Sequence, residues 1–120
     1  MRTWLLGMLL PATLLAGEAD VLDAKVRPGT DGWTFQVTLR HADTGWDHYA
    51  DAWEVLTPDG KVLARRVLYH PHVNEQPFTR SLSHVKVPEG TSYVVIRARD
   101  KVHGYGGRTL TLPWPPSQGN

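Results

Sequence analysis

The segment Trp33-Thr34-Phe35-Gln36-Val37-Thr38-Leu39-Arg40 alternates without a break between large apolar residues at odd positions and polar residues at even positions. Successive side chains of a β-strand point to opposite faces of the sheet, so this period of two predicts a strand that is buried on one face only. Such strands are typical of antiparallel sheets that cover a core. The segment therefore predicts an all-β fold.

Shorter segments on both sides repeat this alternation, and turns rich in proline and glycine separate them. The turn Thr57-Pro58-Asp59-Gly60 joins two of them as a hairpin, because proline followed by Asp-Gly favours a tight reversal. No segment has the period of an amphipathic helix. The pattern predicts an all-β, antiparallel seven-stranded β-sandwich, with strands at residues 22–26, 33–40, 50–56, 62–69, 78–87, 92–99 and 110–112.

Trp53 lies in the third predicted strand, and the segment Val87-Pro88-Glu89-Gly90-Thr91-Ser92-Tyr93-Val94-Val95-Ile96 leads into the sixth. Together these features resemble the fibronectin type III branch of the immunoglobulin-like fold. The resemblance covers strand order alone and implies an immunoglobulin-like sandwich, a fold that hosts many functions. Tyr93 has the parity of Arg97 rather than that of the apolar residues. Either a bulge shifts the register or the tyrosine corner of that family is absent.

The first nineteen residues have the features of a secretory signal. Arg2 supplies a positive charge, and the mostly apolar stretch that follows, residues 4–15, is too short to span a bilayer. Small residues at Gly17 and Ala19 place the predicted cleavage before Asp20. An uncleaved membrane anchor is the alternative. We expect a signal peptide at residues 1–19, one β-sandwich domain at 20–113 and a Pro-rich C-terminal tail at 114–120, in a secreted, periplasmic protein without a membrane span after signal removal.

Charge and sulfur content restrict the chemistry of this domain. The sequence has 13 Lys and Arg against 12 Asp and Glu, and no cationic cluster that would bind nucleic acid. It has no cysteine, which excludes disulfides and a cysteine-linked lipid within these residues. Both methionines, Met1 and Met8, lie in the predicted signal. Any metal site in the domain must therefore use nitrogen and oxygen ligands.

In a sandwich, successive connections fall alternately at opposite ends of the domain. The first, third and fifth predicted connections contain little beyond turn residues. The second, fourth and sixth share the other end, which we call the upper end. Their loops are residues 41–49, 69–77 and 101–107, and they contain five of the six histidines. Because binding residues concentrate on loops held by a rigid scaffold, the upper end is the predicted functional surface.

A divalent metal site is one interpretation of the upper end. Residues i and i+2 of an extended chain point to the same side, so His70 and His72 can share one ion. His103 is the third predicted ligand, and His48 is a further candidate. Either Asp47 or Glu75 would add an oxygen ligand. Such a donor set suits Zn²⁺, Cu²⁺ or Ni²⁺, with Cu²⁺ and Zn²⁺ as the predicted cofactors.

The favoured interpretation is a non-catalytic binding or interaction module whose partner is a protein or a cell-envelope glycan. Aromatic residues with polar tips are typical of interaction hot spots, and Gly104, Gly106 and Gly107 let the backbone pass close to a partner. We expect no enzyme, because no nucleophile motif is present and a small domain has little room for a deep cleft. The oligomeric state is left open. The predicted binding residues are Trp46, Tyr49, Tyr69, Asn74, Glu75 and Tyr105.

Several other polar or aromatic residues have simpler explanations. His84 is predicted to be an exposed strand residue, and Trp33 and Trp53 are predicted to belong to the core. Asp100 ends a strand and is expected to bind the backbone of its own loop. Arg80 is either at a sheet edge or paired.

Overall fold

The computed structural model describes residues 17–116, so most of the predicted signal and the last four residues lie outside the described part. Residues 17–116 contain no helix. The seven antiparallel strands are β1 (Asp20–Gly29), β2 (Gly32–Arg40), β3 (Ala50–Leu56), β4 (Val62–Val67), β5 (Phe78–Val85), β6 (Tyr93–Asp100) and β7 (Leu110–Pro113). They form two sheets, β1-β2-β5 and β4-β3-β6-β7. The prediction of an all-β fold with seven antiparallel strands is confirmed.

The alternation that predicted β2 also places its odd-numbered side chains in the core. Phe35, Val37 and Leu39 all lie in the core, and Leu39 pairs with Phe78 of β5. Trp53 supplies the largest buried side chain from the opposite sheet. Burying each such side chain contributes about 1.5–3 kcal/mol to folding. The core is shared by both sheets, and Trp53 is a core residue as predicted.

Strand β6 decides the question of the tyrosine corner. Val94, Ile96 and Ala98 are buried, whereas Tyr93 is 37% exposed and lies on the outer face. The pairing of β6 with β7 runs without a register shift from Tyr93↔Pro113 onward. No bulge therefore turns Tyr93 inward, and the tyrosine corner is absent.

Both ends of the described chain pack on the core beyond the predicted domain bounds. Ala19 is fully buried. At the other end, the Trp114 ring lies 4.8 Å from the ring of Trp33 and 5.8 Å from that of Phe35, between ring centroids. The packed domain thus includes Ala19, which the sequence assigned to the signal, and Trp114, which it assigned to the tail.

Candidate metal centre

The three loops of the upper end are joined by hydrogen bonds, and Asp43 is their hub. The Asp43 carboxylate accepts one hydrogen bond from the backbone N–H of His72, at 2.7 Å, and another from that of Ala50, at 3.1 Å. The backbone N–H of Lys101 donates to the carbonyl of Tyr49 at 3.1 Å. Loops 41–49, 69–77 and 101–107 therefore converge as the order of connections predicted.

Three metal-ligand side chains meet at the base of these loops: His41, His48 and Asp100, with donor atoms all within 4.8 Å of one another. His41 Nε2 lies 3.2 Å from His48 Nε2 and 3.7 Å from Asp100 Oδ2. His48 Nε2 lies 3.3 Å from Asp100 Oδ1. Ligand atoms about 2.0–2.1 Å from a tetrahedral Zn²⁺ are about 3.3–3.4 Å apart, so the two distances from His48 Nε2 are close to the edges of such a site, and the distance from His41 Nε2 to Asp100 Oδ2 is longer.

Neighbouring groups hold each ligand in its orientation. His41 Nδ1 lies 2.5 Å from Asp43 Oδ1. A carboxylate on one imidazole nitrogen fixes the tautomer and turns the other nitrogen toward a metal, as in carboxylate–histidine–zinc sites. Asp100 Oδ1 accepts hydrogen bonds from the backbone N–H groups of Val102, at 2.8 Å, and His103, at 2.6 Å. The prediction that Asp100 binds its own loop is confirmed by these two bonds.

The Asp100 carboxylate carries a negative charge in a fully buried position. Burial opposes its ionisation, but hydrogen bonds from the backbones of His103 and Val102 and the nearby His41 and His103 rings outweigh that effect. The pKa of Asp100 consequently lies below its usual value. Within residues 17–116, Asp100 Oδ2 has no hydrogen-bond partner.

The solvent side of the cluster is formed by two partly exposed histidines. The His48 side chain is 21% exposed, and that of His103 is 38% exposed. His103 Nδ1 lies 3.2 Å from Asp100 Oδ1, and the centroid of its ring lies 5.0 Å from that of His48. The structure thus places His48 in the cluster and His103 beside it.

The predicted ligands His70 and His72 lie outside this cluster. Their ring centroids are 4.8 Å apart, but the Arg80 guanidinium donates to His72 Nε2 at 2.9 Å. Burial, then the Arg80 charge and the neighbouring His70, lower the pKa of His72. A guanidinium on the ring nitrogen occupies the lone pair that a metal ion requires. The assignment of these two histidines as ligands stays a prediction that the geometry does not favour. Arg80 is therefore paired: its guanidinium contacts Glu75, at 3.3 Å, as well as His72.

A cleft of about 630 Å³ lies beside this pair. It is lined by Trp46 and residues 70–75, which include the predicted binding residues Asn74 and Glu75. Trp46 is 64% exposed and Tyr69 is 73% exposed. Tyr49 is instead buried under Trp46, with 5.7 Å between ring centroids.

Tyr105 leaves the upper end and covers the outer face of the four-stranded sheet. Its hydroxyl donates to Glu54 at 3.0 Å, and the Arg97 guanidinium stacks on its ring at 3.8 Å. Burial opposes the ionisation of Glu54, but hydrogen bonds from Arg97, Arg65 and Tyr105 outweigh it and lower the Glu54 pKa. The structure therefore gives Tyr105 a role in a buried ion-pair network rather than a place beside the other predicted binding residues.

Sequence reasoning missed His41 and Asp100 as ligands, although a signal for both was present. The odd-numbered core positions of β2 continue from Leu39 to His41, and the even-numbered core positions of β6 continue from Ala98 to Asp100. Each core-facing row therefore ends in a buried ionisable residue. Ionisable side chains are almost never buried unless they are paired or bind a metal, which makes this continuation informative.

Comparisons with known proteins give one relative. A protein of Halomicrobium mukohataei named "Putative lipoprotein" is 47% identical to this chain over 96 residues. The match covers 79% of this chain and 47% of that protein, so the chain spans about half the length of this curated relative. No family model matches the sequence, and no solved structure matches it.

Between residues 17 and 116, there is no helix with the length and apolar character needed to cross a membrane.

Proposed function

We propose that this domain is an exported, non-catalytic module that binds one divalent transition-metal ion through His41, His48 and Asp100. The observation that carries the proposal is the fully buried Asp100 carboxylate, whose Oδ2 faces His41 Nε2 at 3.7 Å and has no hydrogen-bond partner in the described chain. A buried acceptor atom without a partner is costly, and a cation between Asp100 Oδ2 and the two imidazoles would supply one.

The donor set and its spacing favour Zn²⁺. Two imidazole nitrogens and a carboxylate oxygen are a common zinc ligand set, and the separations of 3.2 and 3.3 Å from His48 Nε2 to His41 Nε2 and Asp100 Oδ1 are close to the edges of a tetrahedral site. Cu²⁺ binds most nitrogen and oxygen sites more tightly than Zn²⁺ does, so it is the competing ion. Asp43 supports the site from behind, because it holds His41 Nδ1 and so turns Nε2 toward His48 and Asp100.

The envelope location and the fold type are parts of the same proposal. The predicted export signal and the lipoprotein name of the relative support a protein of the cell envelope. Since none of the 120 residues is cysteine, no cysteine-linked lipid can be attached within this sequence. Two antiparallel sheets of three and four strands around one core support the immunoglobulin-like sandwich type.

Calorimetric titration of the tag-free protein with Zn²⁺ and Cu²⁺ tests the metal proposal. We expect one ion per chain, loss of binding in His48→Ala and retained binding in the matched double variant His70→Ala/His72→Ala. His84→Ala is a second control, because this exposed histidine lies on β5 outside the cluster. No binding tighter than about 10 μM, or equal binding by His48→Ala, would contradict the proposal.

A second candidate function is recognition of a protein or an envelope glycan at the cleft beside Trp46. The observation that favours it is the exposure of Trp46, which lines the cleft, and of Tyr69, which directly precedes the cleft residues 70–75 in the chain. Tryptophan fluorescence during titration with envelope glycan fragments tests the glycan form of this proposal. We expect a saturable change that Trp46→Ala abolishes, and an unchanged signal in wild type counts against a glycan ligand. A pull-down from the cell envelope tests the protein form, with Trp46→Ala as its control.

A further inference from the structure

The segment Gly17–Asp20 lies against the loop that follows β6. The backbone N–H of Arg108 donates to the Asp20 carboxylate at 2.7 Å, and the N–H of Val21 donates to the carbonyl of Arg108 at 2.9 Å. Ala19 is fully buried and belongs to the hydrophobic core. We call residues 17–20 the strap. The strap is packed as a part of the domain, although the sequence assigned its first three residues to the signal.

Two glycines of loop 101–107, Gly106 and Gly107, lie against the strap. A Cβ on Gly107 would collide with the carbonyl oxygen of Ala19, and one on Gly106 would collide with the Glu18 carboxylate. On the other side of the contact, a Cβ on Gly17 would lie 2.7 Å from Cε1 of His103. The backbone of the strap therefore excludes a side chain at Gly107, whereas at Gly106 and Gly17 a new Cβ would meet side-chain atoms that can move.

The strap also reaches the metal centre. The carbonyl oxygen of Gly17 lies 3.2 Å from His48 Nε2, which is one of the three cluster donors. This separation again equals about one edge of a tetrahedral zinc site. The Gly17 carbonyl thus approaches the open side of the cluster, next to the exposed ring of His103.

We propose that the strap closes the metal centre and supplies the Gly17 carbonyl oxygen to the ion, and that export processing therefore cuts the chain on the N-terminal side of Gly17. The part that concerns the ion rests on the proposed function. Cleavage before Asp20 would remove the buried Ala19 together with Gly17. It would leave a gap in the core and expose the cluster. For a cut directly before Gly17, Ala16 supplies the small residue next to the cut, and the position two residues earlier is the larger Leu14.

The position of the cut is tested on the exported protein itself, expressed from the full chain and isolated from the culture or envelope. Intact-mass measurement gives its first residue. The proposal predicts a mature chain that starts at or before Gly17. A chain that starts at any residue after Gly17 overturns the proposal, because the carbonyl ligand would then be missing.

Closure of the metal centre is tested with Gly107→Ala in the full chain. The new Cβ displaces the backbone of the strap but leaves the three ligands unchanged. We expect Zn²⁺ affinity to fall about 10-fold or more, as for loss of other groups that support a metal site. Gly29→Ala is the matched control, since its Cβ meets only Gly32 O, at 3.4 Å, in the turn after β1. Unchanged affinity in Gly107→Ala overturns the closure.

Gly17→Ala is a milder variant that keeps the proposal testable if Gly107→Ala does not fold. In Gly17→Ala the atoms nearest to the new Cβ belong to the movable His103 ring, so the fold is expected to survive with a several-fold weaker site. The two proposals fail in different ways. If wild type binds no Zn²⁺, the proposed function fails, and the mature mass still decides where the chain is cut. If wild type binds Zn²⁺ and both variants bind it equally well, only the strap proposal fails.

Discussion

Two groups of histidines lie at the upper end, and their surroundings differ. In the buried cluster, Asp43 holds His41 so that its Nε2 faces His48 Nε2 at 3.2 Å. In the exposed loop, the guanidinium of Arg80 lies on His72 Nε2 at 2.9 Å. The group that lies against Nε2 therefore distinguishes a candidate metal ligand from a structural histidine. Closeness of two histidines in the sequence does not make this distinction.

The charges around the two groups reinforce this difference. The cluster contains the Asp100 carboxylate, whose Oδ2 is unpartnered within the described chain, and a second carboxylate, Asp43, lies behind His41. In loop 69–77, the Arg80 guanidinium lies where a metal ion would have to approach His72 Nε2. The carboxylate of Glu75 is already paired with this guanidinium at 3.3 Å. A divalent ion is attracted to the first environment and repelled from the second.

The largest expected effect comes from Asp100→Asn, which keeps the shape of the side chain but removes its charge. Zn²⁺ affinity should fall by about 100-fold or more, since the only charged ligand of the cluster is lost. The metal-free protein should also lose some stability, because the hydrogen bonds that lower the Asp100 pKa favour its charged form in the folded state. Calorimetry and thermal melts with and without Zn²⁺ measure the two effects. A variant that still gains stability from Zn²⁺ as wild type does would contradict the assignment.

A smaller loss of Zn²⁺ affinity is expected from Asp43→Asn, because Asp43 acts on the ion only through His41. Zn²⁺ affinity should fall about 10–100-fold, because the carboxylate that fixes the tautomer of His41 is replaced by an amide. An acceptor for the His72 backbone N–H remains, so the loops should stay joined. Competition with a chromophoric chelator measures the affinity. Unchanged affinity would show that His41 does not depend on Asp43.

For loop 69–77, the comparison predicts an effect on the stability of the fold without an effect on Zn²⁺ affinity. His72 stacks on Phe78 with 4.0 Å between ring centroids, so His72→Ala removes a packed ring at the edge of the core. The free energy of unfolding should fall by about 1–2 kcal/mol in urea titrations, while Zn²⁺ affinity stays within about twofold of wild type. A large loss of affinity would move the site to this loop.

The smallest expected effect is a pH dependence of the free energy of unfolding, which comes from His72. Its pKa is lowered in the folded state, mainly by burial and next by Arg80, so the unfolded chain binds more protons below about pH 6.5. The free energy of unfolding should therefore rise with pH through the window just below 6.5 and lose this contribution as the pH falls. Melts of wild type and His72→Gln in chelator-treated buffer, from pH 5 to 7.5, measure the difference. Equal slopes would contradict it.

Much of the fold followed from local pattern. Alternation fixes which side chains of β2 enter the core, and counting the connections brings three loops to one end, as the bonds of Asp43 confirm. The ligands His41 and Asp100 were within reach of the same reasoning, because each continues a core-facing row. Spacing alone selected His70 and His72, since nothing local shows that β5 brings Arg80 to them. The strap could not be found from sequence, because its contact with residues 106–108 joins distant parts of the chain.

The most direct test is a crystal structure of the mature protein soaked with Zn²⁺, with the ion located by its anomalous scattering. The account predicts one fully occupied ion bonded to His41 Nε2, His48 Nε2 and an Asp100 oxygen at about 2.0–2.2 Å. An ion at His70 and His72 would contradict it, as would a cluster that stays empty at saturating Zn²⁺.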